Sequence, residues 1–110
     1  MVNPRRGELW TVAGSDRITS KPRPALIITS DLFAAYDHVT VVLLTSDATD
    51  SPARVTVPAN DATGLAVPSH VMCDKLHTIR RSSLGQRIGH VSPAVMVDVE
   101  RAILVYLDIG

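Results

Sequence analysis

Cysteine is nearly absent from this sequence of 110 residues, and its scarcity excludes two kinds of small protein. The single residue, Cys73, cannot form an internal disulfide, and it cannot supply a zinc site built from several cysteines. It lies in an apolar run, where we expect a buried thiol that fills space. No stretch approaches the roughly 20 apolar residues that span a bilayer, and no signal peptide is evident. We therefore expect a cytoplasmic protein without a membrane partner.

Aromatic residues and lysine are also scarce. Aromatics make up 4% of the chain, so the core must be mostly aliphatic and extended stacking of bases on rings is disfavoured. The formal net charge is zero, which argues against a strongly basic nucleic-acid binder of the usual kind. Yet nine of the eleven basic residues are arginine, whose planar fork of donors suits phosphate or carboxylate. These basic residues are clustered along the chain, so a protein with zero net charge can still have one positively charged face.

Short apolar runs followed by one amphipathic stretch predict a mainly β protein with a C-terminal α-helix, in a single domain over residues 1–110. Strands are expected at 7–12, 25–29, 38–44, 53–57, 69–74 with 76–79 (two short strands or one bent strand), and 86–91. Ser92 and Pro93 should begin the helix. Its apolar face comprises Val95, Met96, Val99, Ile103, Tyr106 and Leu107. The strands suggest a small, strongly bent sheet or partly open barrel, with the helix over its open side.

One stretch combines a restrained backbone with a fixed charge. Pro22 and Pro24 flank Arg23 and favour extended geometry before an apolar strand that is buried on both faces. A guanidinium held in this way is suited to phosphate, although an ordinary surface arginine at a strand end would look the same.

Five motifs then occur in order along the chain. They are Arg6-Gly7-Glu8-Leu9-Trp10, Arg23-Pro24-Ala25-Leu26-Ile27, Leu44-Thr45-Ser46, Val71-Met72-Cys73-Asp74-Lys75-Leu76-His77-Thr78 and Leu84-Gly85-Gln86-Arg87-Ile88-Gly89. Their order and spacing resemble the MazF/PemK toxins of bacterial toxin–antitoxin modules over nearly the whole chain. The resemblance implies an SH3-like barrel of the MazF/PemK/CcdB type, a homodimer, and a sequence-specific endoribonuclease that needs no metal or other cofactor. It also implies inhibition of translation and growth, and a cognate antitoxin whose disordered acidic segment blocks the RNA groove.

Carried over by position, the resemblance places catalytic roles on Arg23, Thr45 and Asp74. Further RNA contacts are expected at Lys21, Ser46, Asp47, Lys75, His77, Arg80 and Arg81. The sequence departs from the family pattern where glutamine and arginine are replaced by Lys75 and His77, and where some members have an arginine in place of Met72. These departures leave open which bases are recognised.

Metal-free cleavage of single-stranded RNA sets three chemical requirements. The 2′-hydroxyl must lose a proton, the phosphorane must be stabilised, and the 5′-oxygen must gain a proton. Arg23 suits the second requirement, and Thr45 can donate a hydrogen bond to a non-bridging oxygen. The proton acceptor stays open among Asp74, His77 and Arg23, in falling order. The resemblance implies products with 2′,3′-cyclic phosphate and 5′-hydroxyl ends.

Each candidate also has a purely structural interpretation. Thr45 could simply end a strand with its hydroxyl bonded to nearby backbone, and Asp74 could pair with Lys75 or Arg80. His77 could be structural. His38, His70 and His90 show no metal-ligand spacing, so we expect them to be structural or exposed.

Two other functions compete with RNA cleavage. The first is a CcdB-like toxin that binds gyrase, but that group relies on a C-terminal Trp-Gly-Ile ending and this chain ends in Leu107-Asp108-Ile109-Gly110. The second is a non-catalytic SH3-like binding module.

Overall fold

Six strands and one helix make up the computed structural model, which describes residues 3–12 and 22–110. The elements are β1 (Glu8–Val12), β2 (Arg23–Ile27), β3 (His38–Thr45), β4 (Arg54–Val57), β5 (Ser69–Arg80), β6 (Leu84–His90) and α1 (Pro93–Leu107), with short 3-10 helices at Asp31–Phe33 and Arg81–Ser83. The strands form one antiparallel sheet in the order β4-β5-β3-β2-β1-β6. The predicted strands and C-terminal helix are therefore confirmed, while Lys21 lies outside the described residues.

The central strands bury apolar side chains on both faces, as the run at Ala25 to Thr29 predicted. On one face a helix-side core contains Leu9, Leu26, Val42, Leu44, Val57, Val71, Cys73, Val91, Val99 and Ala102. On the other face an outer core contains Val12, Ala25, Ile27, Val39, Val41, Leu43 and Met72. Since side chains alternate along a strand, neighbouring residues of β2 and β3 belong to different cores.

The C-terminal helix begins as the sequence predicted. The Ser92 hydroxyl accepts a hydrogen bond from the Val95 backbone N–H, and Pro93 occupies the first turn, where its missing N–H costs nothing. Val99 and Ala102 are buried against the helix-side core. The predicted apolar face is longer than the buried part of the helix, because Tyr106 and Leu107 at its end are exposed.

Those two side chains are 54% and 45% exposed, and every residue from Leu104 to Gly110 is exposed. The sheet beneath α1 therefore supports only its first three turns. No helix in the described ranges is both long and apolar enough to cross a membrane.

β5 is one long strand with an irregular pairing near its centre, which decides between the two predicted alternatives. Val42 of β3 lies opposite Leu76, whereas Leu44 lies opposite Val71, so two steps along β3 match five along β5. The extra residues form a bulge, which bends the strand and re-aims the side chains it contains. Asp74 lies within this bulge.

Candidate active site

Arg23 and Thr45 meet where β2 begins and β3 ends. Ala25 pairs with Leu43, and continuing that antiparallel register by two residues brings Arg23 opposite Thr45. Residues directly opposite in a sheet point to the same face with Cβ atoms about 5 Å apart. Both residues line a cavity of about 490 Å³. The sequence therefore brings its two leading catalytic candidates to one place.

The rest of this cavity, called here the first cavity, is built from loops and neighbouring strands. Ser46 and Asp47 line it immediately after β3, and their contact with RNA stays a prediction. A set of residues called here the wall comprises Gly64, Leu65, Ala66, Val67, Ser69 and Ile88, and Thr11, Pro24 and Leu44 complete the lining. The sequence did not single out this wall.

The wall is held tightly against β6 through backbone contacts. Gly64 has φ of +69°, a conformation that glycine adopts readily, and a Cβ there would overlap with the Ile88 carbonyl oxygen. A Cβ on Gly89 would overlap with the Thr63 carbonyl in the same way. The His90 backbone N–H donates to the Ala62 carbonyl at 2.9 Å, so loop and strand are bonded as well as close-packed.

The Thr45 hydroxyl makes a hydrogen bond to the backbone and can still donate its own hydrogen. It accepts a hydrogen bond from the Asp47 backbone N–H at 3.1 Å, as its strand-ending interpretation predicted. A hydroxyl that accepts one bond still carries its own hydrogen. Thr45 can therefore donate that hydrogen to an oxygen bound in the first cavity.

Arg23 presents a charge that no carboxylate in residues 3–12 or 22–110 neutralises. It is exposed and makes no ion pair within those ranges. Two other arginines of the fold are engaged: Arg6 pairs with Glu100, and Arg87 pairs with Glu8 at 2.7 Å. An anion entering the first cavity would thus meet an available guanidinium.

Asp74 is engaged elsewhere on β5, in an ion-pair cluster. Its carboxylate binds Arg54, and the Lys75 ammonium lies 3.3 Å away. Burial alone would raise the pKa of Asp74, but hydrogen bonds from Arg54, its own backbone N–H and Lys75, with the Arg54 charge, outweigh it and lower the pKa. The predicted pairing with Lys75 is present, and Arg54 is the stronger partner. A carboxylate stabilised in its charged form is a weaker proton acceptor.

The remaining predicted RNA contacts follow β5 away from the first cavity. His77 lies half-buried opposite Val41, four residues before Thr45 and thus about 13 Å along β3 from it. Arg80 is exposed, opposite His38. Their contact with RNA stays a prediction.

Arg81 has a structural task at the end of β5. Its guanidinium donates to the Asn3 side chain at 3.0 Å and to the Ala34 carbonyl at 2.9 Å. These bonds hold the segment before β3 and the N-terminal segment together.

Sequence reasoning missed His70, which the β3–β5 register places directly opposite Thr45. His70 is half-buried, and its Nδ1 lies 3.1 Å from the Thr56 hydroxyl oxygen on β4. It lines a second cavity of about 490 Å³ with Ala48, Thr49, Asp50, Ser51, Arg54 and Thr56. Nothing in the local sequence predicts this proximity, because it depends on which residues of β3 and β5 pair.

Cys73 lies outside the candidate site, in the helix-side core. Cys73 is fully buried, as predicted, and desolvation raises the pKa of its thiol to about 11, with a further rise from the Asp74 charge and an opposing effect of Arg54. Such a thiol is not a nucleophile at neutral pH. Within residues 3–12 and 22–110, no three His, Cys, Asp or Glu side chains are grouped so as to hold a metal ion.

Comparison with known proteins assigns the family. The profile of the PemK-like, MazF-like toxins of type II toxin–antitoxin systems matches residues 5–107. A probable endoribonuclease MazF from Mycolicibacterium smegmatis is 45% identical over 107 residues, covering 96% of this chain and 98% of the relative.

Two solved structures show the same fold. An endoribonuclease in complex with its cognate antitoxin, from a mycobacterial species, superposes with a TM-score of 0.83 at 23% identity, covering 97% of each chain. The Mycobacterium tuberculosis toxin MazF-mt6 gives a TM-score of 0.81 at 28% identity, covering 94% of this chain and 98% of that one. The protein therefore belongs to the PemK-like, MazF-like toxin family of type II toxin–antitoxin systems.

Proposed function

We propose that this protein cleaves single-stranded RNA at a short recognition sequence without a metal ion, leaving 2′,3′-cyclic phosphate and 5′-hydroxyl ends. It is a MazF-like endoribonuclease toxin, as its family and its 45% identical relative indicate. The observation that carries the chemical proposal is the cross-strand placement of Arg23 and Thr45 on one cavity. We expect a single-stranded RNA substrate, because the base edges that a protein must contact are hard to reach in an RNA duplex.

The two side chains divide the work on the scissile phosphate. Arg23 carries a fixed charge that stabilises the phosphorane, in which negative charge grows on the non-bridging oxygens. Thr45 donates its hydroxyl hydrogen to one of those oxygens, while the Asp47 N–H holds the hydroxyl in place. The function of both residues is electrostatic, so a proton acceptor is still required.

We expect the residues around the scissile phosphate to determine which bases are recognised. Ser46, Asp47 and the wall at 64–67 border the first cavity, so they are placed to contact nucleotides beside the cleavage point. Lys75, His77, Arg80 and Arg81 continue along β5 and its end, where they would contact the RNA further from that point. Lys21, which lies outside the described residues, is the last of the expected RNA contacts.

The exposed positive charge of Arg23 also indicates which partners the protein would bind. A disordered acidic segment of a cognate antitoxin would place carboxylates where RNA phosphates bind, and so would compete for Arg23. We further propose a homodimer in which two sites flank a shared groove. Cleavage of cellular RNA would inhibit translation and growth when the antitoxin is lost.

The decisive experiment incubates purified protein in EDTA with a long unstructured RNA and maps the 5′ ends of the fragments. We expect cuts at one short recurring sequence, with 5′ ends that accept phosphate from polynucleotide kinase without prior phosphatase treatment. A matched oligonucleotide with a single 2′-deoxy substitution before the cut should remain intact, because it lacks the attacking hydroxyl. Cleavage of that deoxy substrate, or no cleavage by folded protein, would overturn the proposal.

A further inference from the structure

Four polar residues form one row across four adjacent strands, and two of them are the catalytic candidates. Thr45 pairs with His70, His70 pairs with Thr56, and the extended β2–β3 register adds Arg23 on the other side. Residues directly opposite one another share a face of the sheet. The polar row therefore reads Arg23, Thr45, His70, Thr56 along a single face.

The burial of the neighbouring residues supports this placement independently. Ala25, Leu43 and Met72 each lie two residues from a member of the polar row on the same strand, and all three belong to the outer core. Side chains two apart on a strand point the same way. The row thus continues the outer face beyond its apolar core.

Hydrogen bonding prepares the His70 ring for one role in particular. Its Nδ1 is 3.1 Å from the Thr56 hydroxyl oxygen, and this contact fixes the ring on the side of β4. When Nδ1 holds its hydrogen toward that oxygen, the other ring nitrogen, Nε2, carries a lone pair. Because imidazole ordinarily exchanges its proton near neutral pH, it suits general acid–base work better than a carboxylate bound to arginine.

We propose that His70 is the catalytic residue that removes the proton from the attacking 2′-hydroxyl, an inference that rests on the proposed RNA cleavage. Neither leading alternative is as well placed. Asp74 is neutralised by Arg54 and Lys75, and His77 lies about 13 Å further along the sheet from Thr45. His70 lies beside the residue that contacts the phosphate.

The step balances in protons and bonds. The 2′-oxygen transfers its proton to Nε2 of His70 and forms a bond to phosphorus, while the bond from phosphorus to the 5′-oxygen breaks. The 5′-oxygen takes a proton from water, and His70 returns its own proton to the hydroxide that is formed. Arg23 and Thr45 stabilise the phosphorane throughout, and no water is consumed overall.

Charged residues of both signs lie on the elements next to His70. They are Asp50 and Arg54 in the second cavity, Arg23 and Asp47 in the first cavity, and Asp74, Lys75 and Arg80 on its own strand. Arg54 is bound to Asp74, so its charge is largely compensated, although its Nε has no hydrogen-bond partner among the described residues. The cleavage rate should depend on pH, because only a neutral imidazole can accept the proton of the 2′-hydroxyl.

The test measures single-turnover cleavage of the mapped RNA in EDTA, from about pH 5 to 9, together with RNA affinity. Wild-type protein should gain rate with pH and then reach a plateau. His70→Gln should lose on the order of 10²- to 10⁴-fold in rate, and should lose the rising part of the profile, while RNA affinity stays within about twofold. His90→Gln, at an exposed histidine on β6, is the matched control and should behave as wild type.

Thr56→Val provides a second, milder variant in case His70→Gln fails to fold. It removes the oxygen beside Nδ1 and should lower the rate on the order of tenfold while keeping the rising part of the profile. A flat wild-type profile, or a His70→Gln protein with the wild-type rate and profile, would overturn this assignment while leaving RNA cleavage intact. Loss of RNA affinity alone would make His70 a binding residue instead. Wild-type protein without any cleavage would overturn the proposed function itself.

Discussion

Two arginines each begin a strand, yet their surroundings are opposite. Arg54 begins β4, and its half-buried side chain is bound to Asp74. Arg23 begins β2 and is exposed on the first cavity, with no ion pair to a carboxylate of the described ranges. A charge that is compensated inside the protein stabilises the fold, whereas an uncompensated charge at a cavity is available to a ligand. The same residue type thus serves two purposes, and substitution should separate them.

Arg23→Ala should give the largest effect on activity. The cleavage rate should fall on the order of 10³-fold, because the phosphorane loses its fixed positive charge. The free energy of unfolding should change by less than about 0.5 kcal/mol, since the side chain is exposed. Rates from single-turnover cleavage and unfolding by urea measure the two quantities.

Arg101→Ala, at an exposed arginine on α1, is the matched control for loss of charge. It should retain the wild-type cleavage rate. If Arg23→Ala and Arg101→Ala lose activity equally, the loss results from removing one positive charge from the protein as a whole. Arg23 would then have no specific role at the first cavity.

Thr45→Val should reduce cleavage less, on the order of 10- to 10²-fold, because it removes one neutral donor and keeps the shape of the side chain. The Asp47 N–H that loses its acceptor is exposed and can bind water instead, so stability should hardly change. Thr78→Val removes another strand hydroxyl, one that bonds to Thr40 at 2.9 Å, and should leave the rate unchanged. Equal losses in the two variants would contradict a specific role for Thr45.

Asp74→Asn should give the smallest loss of activity, under about tenfold, and the clearest loss of stability, about 1–2 kcal/mol at neutral pH. The pKa of Asp74 is lowered in the folded state, so its stabilisation is present above the unfolded value of about 3.9 and disappears as pH falls through the folded value. Urea unfolding of both proteins at several pH values from 7 downward should therefore show the difference shrinking in acid. A large loss of cleavage with unchanged stability would instead support the catalytic role that the sequence predicted for Asp74.

The sequence predicted most of what depends on local pattern. Short apolar runs predicted the strands, and Ser92 with Pro93 predicted where α1 begins. These features follow from a few neighbouring residues. The exposure of the last turn of α1 was not predicted, because the apolar period continues past the last buried residues and only the tertiary structure shows where burial ends.

The site was predictable only as far as the family motifs extend. They predicted catalytic roles for Arg23 and Thr45, and both residues line one cavity. They could not identify His70, because its position beside Thr45 results from a bulge in β5 that shifts the register by several residues. Nor could they identify Arg54 as the partner of Asp74, since these residues lie on different strands and no sequence spacing relates them.

The close packing at Gly64 and Gly89 determines which positions of the first cavity tolerate substitution and which do not. The backbone of the wall is clamped to β6, so insertions or bulkier residues at these glycines would displace the whole loop. Ala66 and Val67, by contrast, are exposed on a backbone that is already fixed. Related toxins could thus acquire new RNA preferences by exchanging two side chains on an unchanged frame, and an engineer seeking altered cleavage sequences would begin at those positions.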